Sequence, residues 1–508
     1  MDDLRARRYR EYSARETVER IRGILSEMEL MPVESEWRRF AETFFSLSLS
    51  LPGTRIGVNG KGVTPELALA SAYGELMERL QNMAHFRLKA DMPMGAQRYG
   101  GFLYAPDEAP LSMGKILSSE DPWMRGLWDS VADGTDRVSY LRRWKQVCYG
   151  DRQEDFYGIP FVSLTRGRTL TLPMNILSHL YFTNGMCAGG TREEALIHGL
   201  CECFERYAVR MAAGGRCLLR VIDRKYIGET IRGLMQTLED GGYAVTLYDA
   251  SLGMGLPVAA ALLVDKGEGS YLVRFGAGPD GELAMERALT ELMQGQRMER
   301  MIGMRPIHVK PDITDPQENL MGILTHGFGA YPFSCFGGES AGELPDYGAS
   351  TMKETLENLI GLAQGLGYEV LYRDVSFLGF PAGQVVVPGM SEIADFGDAK
   401  VLGRVTDYVQ IKGRVRALAD LSREDAGELL ALLSKQPLPE NTGVLDILNL
   451  NISGNIPWYF KSIRFLKLSL ALYRGDMERA ADILHTLVSE QTAKESLYYR
   501  GARDLCLL

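Results

Sequence analysis

The chain has 508 residues, 45% of them hydrophobic, and a formal net charge of −10, enough apolar material for two or three domains or for one large body with an appendage. The acidic balance excludes a general nucleic-acid binder, which needs a basic footprint. Seven cysteines and six histidines, with no Cys-x-x-Cys and no Cys/His metal spacing, offer no zinc site and read as reduced thiols in a cytoplasmic protein.

From the N-terminus, the first stretch is charged and helix-periodic and lacks the apolar core of a signal peptide. No apolar run is long enough to span a membrane. Residues 17–30 read as an amphipathic helix. Apolar runs at 52–58, 158–164, 244–250, 256–264 and 385–389 read as strands bounded by Gly, Pro or Asp. Helices are expected to begin at Thr64, Thr191 and Asp280, so the body is α+β or α/β.

From about residue 416 glycine thins out and long helical stretches take over, broken near Lys435 and again at Ser453–Pro457. Two of these helices meet at Gly475-Asp476. Their Tyr-x-Gly-Asp…Ala pattern fits a tetratricopeptide-like (TPR-like) hairpin or, equally, ordinary helical packing against the main body. The expected division is 1–415 and 416–508.

The informative feature is a repeat. The segment Thr64–Arg79 aligns without gaps on Thr191–Arg206, matching Glu66 with Glu193, Glu75 with Glu202, Glu78 with Glu205 and Arg79 with Arg206. A looser third copy, Asp280–Gln294, keeps Glu282 and Glu291 in frame and puts Gln294 in the place of the second glutamate. Each copy follows glycines that read as a turn: Asn59-Gly-Lys-Gly, Asn184-Gly-Met and Phe275-Gly-Ala-Gly. All three openings suit a helix start. Thr64 is a cap with Pro65 behind it, Thr191-x-x-Glu194 reads as a capping box, and Asp280 caps the third.

Glutamates three residues apart, with arginine next, fall on one helix face. A single such face is more often an exposed ion-pair network. Two gapless copies and a third, on helices otherwise apolar, place the acidic stripe in an interior cleft. Crowded carboxylates there need cations to offset them. Oxygen ligands flanked by guanidiniums suit magnesium on nucleotide phosphates. None of the glycine segments is a P-loop.

Together these segments resemble the YcaO family. The resemblance rests on Asn59-Gly-Lys-Gly…Ser71…Glu75-x-x-Glu78-Arg79, on Asn184-Gly-Met…Glu194…Glu202-x-x-Glu205-Arg206, and on Phe275-Gly-Ala…Arg287…Glu291-x-x-Gln294. It covers roughly residues 1–415, and the helical end resembles that of the bacterial member for which the family is named.

The resemblance implies an α+β ATP-binding fold of the family's own type, with ATP and Mg2+ held between the repeated helices. Family members use ATP to activate a peptide amide: a nucleophile adds to the carbonyl and the oxyanion takes phosphate. Carried over by position, Glu75, Glu78, Glu202, Glu205 and Glu291 ligate Mg2+, and Arg206 and Arg287 meet phosphates. Glu202, Glu205, Arg206 and Arg287 form the catalytic set. Ser71, Arg79, Asn184, Cys187, Gly190 and Glu194 line the nucleotide site, with Arg10 and Thr17 as N-terminal contributors.

Two departures stand out. Close relatives carry Ser at Cys187 and Asn at Gly190. Azoline-forming members also end in a proline-rich tail, which Gly501–Leu508 lacks, so azoline chemistry is disfavoured. A protein or peptide substrate is implied. The nearest specific role is as an accessory factor in methylthiolation of a small-subunit ribosomal protein, with that protein or its radical methylthiotransferase as partner. The alternative is an ATP-binding scaffold that recruits a client enzyme and catalyses little itself. A homodimer is implied by the family alone.

Overall fold

The computed structural model describes residues 9–54, 56–84, 105–149, 156–294, 304–309, 313–327, 329–436, 438, 440–448, 461–490 and 493–507. The helical break expected at Ser453–Pro457 lies outside them. An N-terminal helix, Ala14–Glu27, opens on a Ser13/Glu16 capping box and buries Val18, Ile21 and Leu25 on one face. It precedes an antiparallel sheet of β1 (Val33–Phe40), β2 (Phe44–Ser50) and β3 (Gly57–Gly62). The first repeat helix, Pro65–Gln81, follows directly.

Next come β4 (Ala109–Leu111), three short helices between 113 and 149, β5 (Phe156–Ser163), β6 (Thr169–Pro173) and β7 (Met186–Ala188). The second repeat helix, Arg192–Ala213, leads to β8 (Leu219–Ile222), a helix at Glu229–Asp240, β9 (Tyr243–Asp249), β10 (Val258–Asp265) and β11 (Ser270–Ala277). The third repeat helix, Gly281–Met293, is followed by β12 (Arg305–Pro306), a helix at Pro316–His326, β13 (Phe336–Ala341), a helix at Met352–Gly365, β14 (Leu371–Asp374) and β15 (Ala382–Val386). Among the described residues that follow, helices span Ala399–Arg416, Arg423–Lys435, Val444–Leu448, Ile463–Arg474, Met477–Glu490 and Ala493–Leu507.

Beyond the N-terminal sheet there are two more. One runs β12-β11-β10-β9-β8-β13, antiparallel except where β13 pairs with β8. The other runs β4-β5-β14-β15-β7, with β6 beside β5. The second repeat helix lies between these two sheets: its Leu200, Cys203 and Phe204 share a core with Tyr248, Ala260 and Phe275 on one side and Tyr372 and Val385 on the other. The third repeat helix covers the opposite face of the β8–β11 sheet, where Ala284, Ala288 and Leu292 meet Ala259, Ala261 and Leu272. The first packs on its own sheet with the N-terminal helix. The C-terminal helices form a core of their own, which Ile411 and Val415 of the Ala399–Arg416 helix enter. Gly475, in the left-handed conformation, ends one helix before the next begins at Met477.

The glycines before the repeat helices are mostly not turns. Asn59-Gly60-Lys61-Gly62 lies inside β3, paired in register with β2, and Phe275-Gly276-Ala277 closes β11. Only Asn184-Gly185 is a turn, with Gly185 at φ +74°. The reason is clearance. A Cβ on Gly60 would stand 2.1 Å from Ala68 O and 2.7 Å from Ala72 Cβ, and one on Gly276 would stand 2.2 Å from Ala288 N. One on Gly189 would stand 2.6 Å from Ala195 N. Helix backbone rests on strand backbone in the first and third units and on the segment just past β7 in the second, and only glycine leaves room.

Gly60→Ala must therefore part β3 from the first repeat helix and cost about 1–3 kcal/mol or more. Gly74→Ala, in the interior of that helix with open space around it, should instead gain about 0.5–1 kcal/mol from helix propensity. Denaturant titration of both variants checks this: the two midpoints should move in opposite directions.

Candidate active site

Each repeat helix starts on a side-chain cap. Thr64 accepts from Leu67 N, Thr191 from Glu194 N, and Asp280 from Leu283 N. The expected capping box at Thr191 is only half formed. The Glu194 carboxylate reaches past the cap and accepts from Gly190 N at 3.0 Å, which points it toward the cleft. Because the caps are equivalent, equal steps along each helix land on equivalent positions. Three turns in, these are Glu75, Glu202 and Glu291.

The first two helices bring their acids together. Arg79 Nη2 lies 3.6 Å from Glu75 Oε1 and its Nη1 3.4 Å from Glu78 Oε1, while Arg206 Nε lies 3.5 Å from Glu202 Oε1. Glu78 is buried. Burial raises its carboxyl well above the usual value, Arg79 opposes this, and the charges of Glu202 and Glu75 add to the rise. Glu75 is raised by burial, with Arg79 and Lys61 opposing and Glu202 adding. Glu205 is likewise raised by burial and held back by Arg206 and Lys61. Arg79 Nη1 also donates to Met186 Sδ of β7, tying the first unit to the second.

The third helix joins through a residue on β3 that the sequence reading passed over. Lys61 Nζ pairs with Glu291 and donates to Gln294 Oε1 at 3.1 Å. Burial lowers its ammonium to about 8, with Glu205 and Glu75 opposing. Lys61 stands within the Asn-Gly-Lys-Gly motif, but nothing in that local spacing shows a lysine aimed at an acid 230 residues away (291 − 61).

At the other end of the stripe stand Arg10, Glu194 and Arg287. Arg10 is lowered by burial, opposed by Glu194, and also meets the charges of Arg287 and Glu286. Arg287 Nη1 donates to Ala277 O at 2.8 Å. Between the two groups lies His198, which the sequence reading also missed. Burial, and then the cations Arg287, Lys61, Arg10 and Arg79, lower it to about 3. It is a neutral imidazole whose Nδ1 is buried without a partner. Its signal was available: Ser71, His198 and Arg287 all lie two turns past their caps.

The remaining expected residues lie around this cluster. Ser71 is half-buried. The Cys187 thiol is fully buried, pushed up by that burial and by Glu78 and Glu202, so it backs the acids from inside the core. Asn184 donates to Ser391 O at 2.6 Å and accepts from Gln384 at its backbone carbonyl, holding the turn. Thr17 donates its hydroxyl to Ser13 O within the N-terminal helix. At Gly190 a Cβ would meet the Tyr12 ring at 2.7 Å. Tyr12 thus fills the space into which an asparagine would extend.

The donor set is chemically right for magnesium on a nucleotide: hard carboxylate oxygens with guanidiniums alongside. Among the described residues no three carboxylate, His or Cys groups converge on one point as a metal cage. Mg2+ does not need such a cage, since it binds through one or two carboxylates and completes its shell with phosphate oxygens and water.

A family model described as YcaO cyclodehydratase, ATP- and Mg2+-binding, matches residues 59–391. The chain is 29% identical over 467 residues to the ribosomal protein S12 methylthiotransferase accessory factor YcaO of Escherichia coli strain K12, covering 89% of this chain and 78% of that protein. It is 28% identical over 459 residues to an uncharacterized protein of Haemophilus influenzae, covering 87% and 76%. Among solved structures, a heterocyclase in complex with substrate and cofactor shares the fold with a TM-score of 0.52 at 20% identity; the match spans 77% of this chain and 54% of that one. With all three strand-to-helix units inside the matched residues, the chain belongs to the YcaO family of ATP- and Mg2+-binding proteins.

Proposed function

We propose that the chain is an ATP- and Mg2+-dependent enzyme that activates a backbone amide of a peptide or protein for attack by a nucleophile. The observation that carries this reading is that Glu75, Glu78, Glu202, Glu205 and Glu291, on three helices, each lie within ion-pair or electrostatic reach of Arg79, Arg206 or Lys61. Bound Mg-ATP supplies the phosphoryl group that turns an amide oxygen into a leaving group. In this reading the five glutamates hold magnesium, while Arg206 and Arg287 hold phosphate oxygens and stabilise charge as it develops. Arg10, Ser71, Arg79, Glu194 and the Gly190 backbone border the nucleotide. Asn184 and Cys187 support the site from behind, and Thr17 supports the N-terminal helix that carries Arg10 to it. His198, neutral and bearing a free nitrogen, is placed to accept or donate a hydrogen bond at the same cleft.

A second reading is favoured by the name of the 29% identical relative, an accessory factor. Here the chain assists sulfur insertion by a methylthiotransferase acting on a ribosomal protein, and the C-terminal helices, possessing a core separate from the rest, recruit that partner. Single-turnover ATP consumption with and without the partner separates the two. Consumption that does not need the partner supports the enzyme, and a mass change on a client peptide (sulfur for oxygen, or loss of water) identifies the reaction.

Glu202→Gln and Arg206→Ala should each lower ATP turnover by about 10²–10³-fold while the far-ultraviolet circular dichroism of the folded chain is retained. Full turnover in both variants removes the proposed mechanism.

Proton linkage gives a further expectation. Glu75, Glu78 and Glu205 bind protons more tightly in the fold than in the unfolded chain. Their contribution to stability is present below the ordinary carboxyl value of 4.5 and is lost as pH rises through their folded values. Mg-ATP must displace those protons, so its affinity should rise with pH above that value and binding should release protons. Calorimetry in buffers of different ionisation enthalpy measures the release, and Glu78→Gln should reduce it.

A further inference from the structure

Where β12 stops, the edge of β11 opens. The pairing runs only through Ser270↔Pro306 and Tyr271↔Arg305, so beyond Tyr271 the strand has no neighbour on that side among the described residues. A small open cleft lies there, with room for about one water-sized group. It takes one oxygen of a small head group, the rest of which stays in the opening, and it is too small for a nucleotide. Its walls present two guanidiniums, Arg274 and Arg305, and two phenols, Tyr271 and Tyr331, with no carboxylate among them. In a chain of net charge −10 that composition is unusual.

The donors are also left unused. Arg274 forms no ion pair among the described residues; its Nη1 donates to the neighbouring Val273 O at 3.0 Å. Gly327, at φ +67°, keeps clear of this side chain: a Cβ there would stand 2.5 Å from Arg274 Nη2. Arg305 uses its Nε on Gly329 O. Tyr271 is 6% exposed and its hydroxyl has no hydrogen-bond partner among the described residues. A desolvated cation without a counter-charge and a buried hydroxyl without an acceptor are both unfavourable. One negatively charged acceptor relieves both. Tyr331 links the cleft to the acidic centre, since its buried phenol lies within electrostatic reach of Arg274, Arg206 and Glu205.

We propose that this cleft is an oxyanion subsite next to the carboxylate centre, holding a small anionic head between Arg274, Arg305 and the Tyr271 hydroxyl. Two sources carry that chemistry: an acidic side chain or chain end on a peptide client, and the inorganic phosphate released when ATP is split. Only the second source rests on the ATP-dependent reading above. In the first case the subsite selects clients with a carboxylate near the amide that reacts; in the second it drains product from the centre.

The test is calorimetric titration of the full chain with N-acetylaspartate methylamide, its asparagine counterpart and inorganic phosphate. At least one anion should bind and the asparagine compound should not. Arg274→Gln should weaken that binding about ten-fold or more. Tyr271→Phe should weaken it several-fold without lowering the thermal midpoint, because it removes a hydroxyl that bonds to nothing among the described residues. Glu202→Gln should leave it intact, so that loss of ATP turnover and loss of this subsite are separate results. The proposal is overturned if neither anion binds at about 10 mM, if the asparagine compound binds equally, or if both Arg274→Gln and Tyr271→Phe bind like the parent.

Discussion

Backbone-to-backbone contact between helix and strand is the constraint on which the site depends. At Gly60, Gly189 and Gly276 a repeat helix approaches the preceding segment so closely that a single methyl would intrude on helix backbone. Each cap therefore begins its helix at a fixed height above its strand, and acids at the same step along each helix arrive at a common depth. Looser packing would let the helices slide, and a slip of one residue would turn a glutamate about 100° away from the cleft.

That depth is electrostatically awkward, and the surrounding residues answer it with cations. Arg79 and Arg206 come from the acidic helices themselves, Lys61 from β3, and Arg10 and Arg287 from the far end. Attraction to these groups lets Glu75, Glu78 and Glu205 sit in a buried site, while burial, with repulsion among the acids adding to it, keeps their carboxyls above the ordinary range. Carboxylates raised by burial in this way are stabilised by a further cation, and a bound divalent ion would displace their protons.

Local chemistry was legible in the sequence and long-range partnership was not. The three caps, the face shared by Glu75, Glu78 and Arg79, and the strands near 158–164, 244–250 and 256–264 follow from short-range periodicity. The glycines were misread as turns because a glycine needed for clearance and a glycine needed for positive φ look alike in sequence; only the packed helix distinguishes Gly60 from Gly185. Glu194 was assigned to its cap because the motif spacing fits, whereas the fold supplies Gly190 N as a competing donor. Lys61 and Arg274 escaped notice since their meaning comes from residues far along the chain. The hairpin of β1 and β2 also went unread, its alternation blurred by a register shift between Ser35 and Arg38.

The N-terminal segment crosses the helix starts it helps to cover. Tyr9 donates to Asp280, 271 positions away, at 2.7 Å, Tyr12 lies against Gly190, and Arg20 donates to the carbonyls of Gly190 and Gly379. During synthesis these residues emerge long before Gly190, Asp280 and Gly379, and find their partners only after the chain between them has been made. Assembly of this end of the cleft is consequently a late, non-local event in folding.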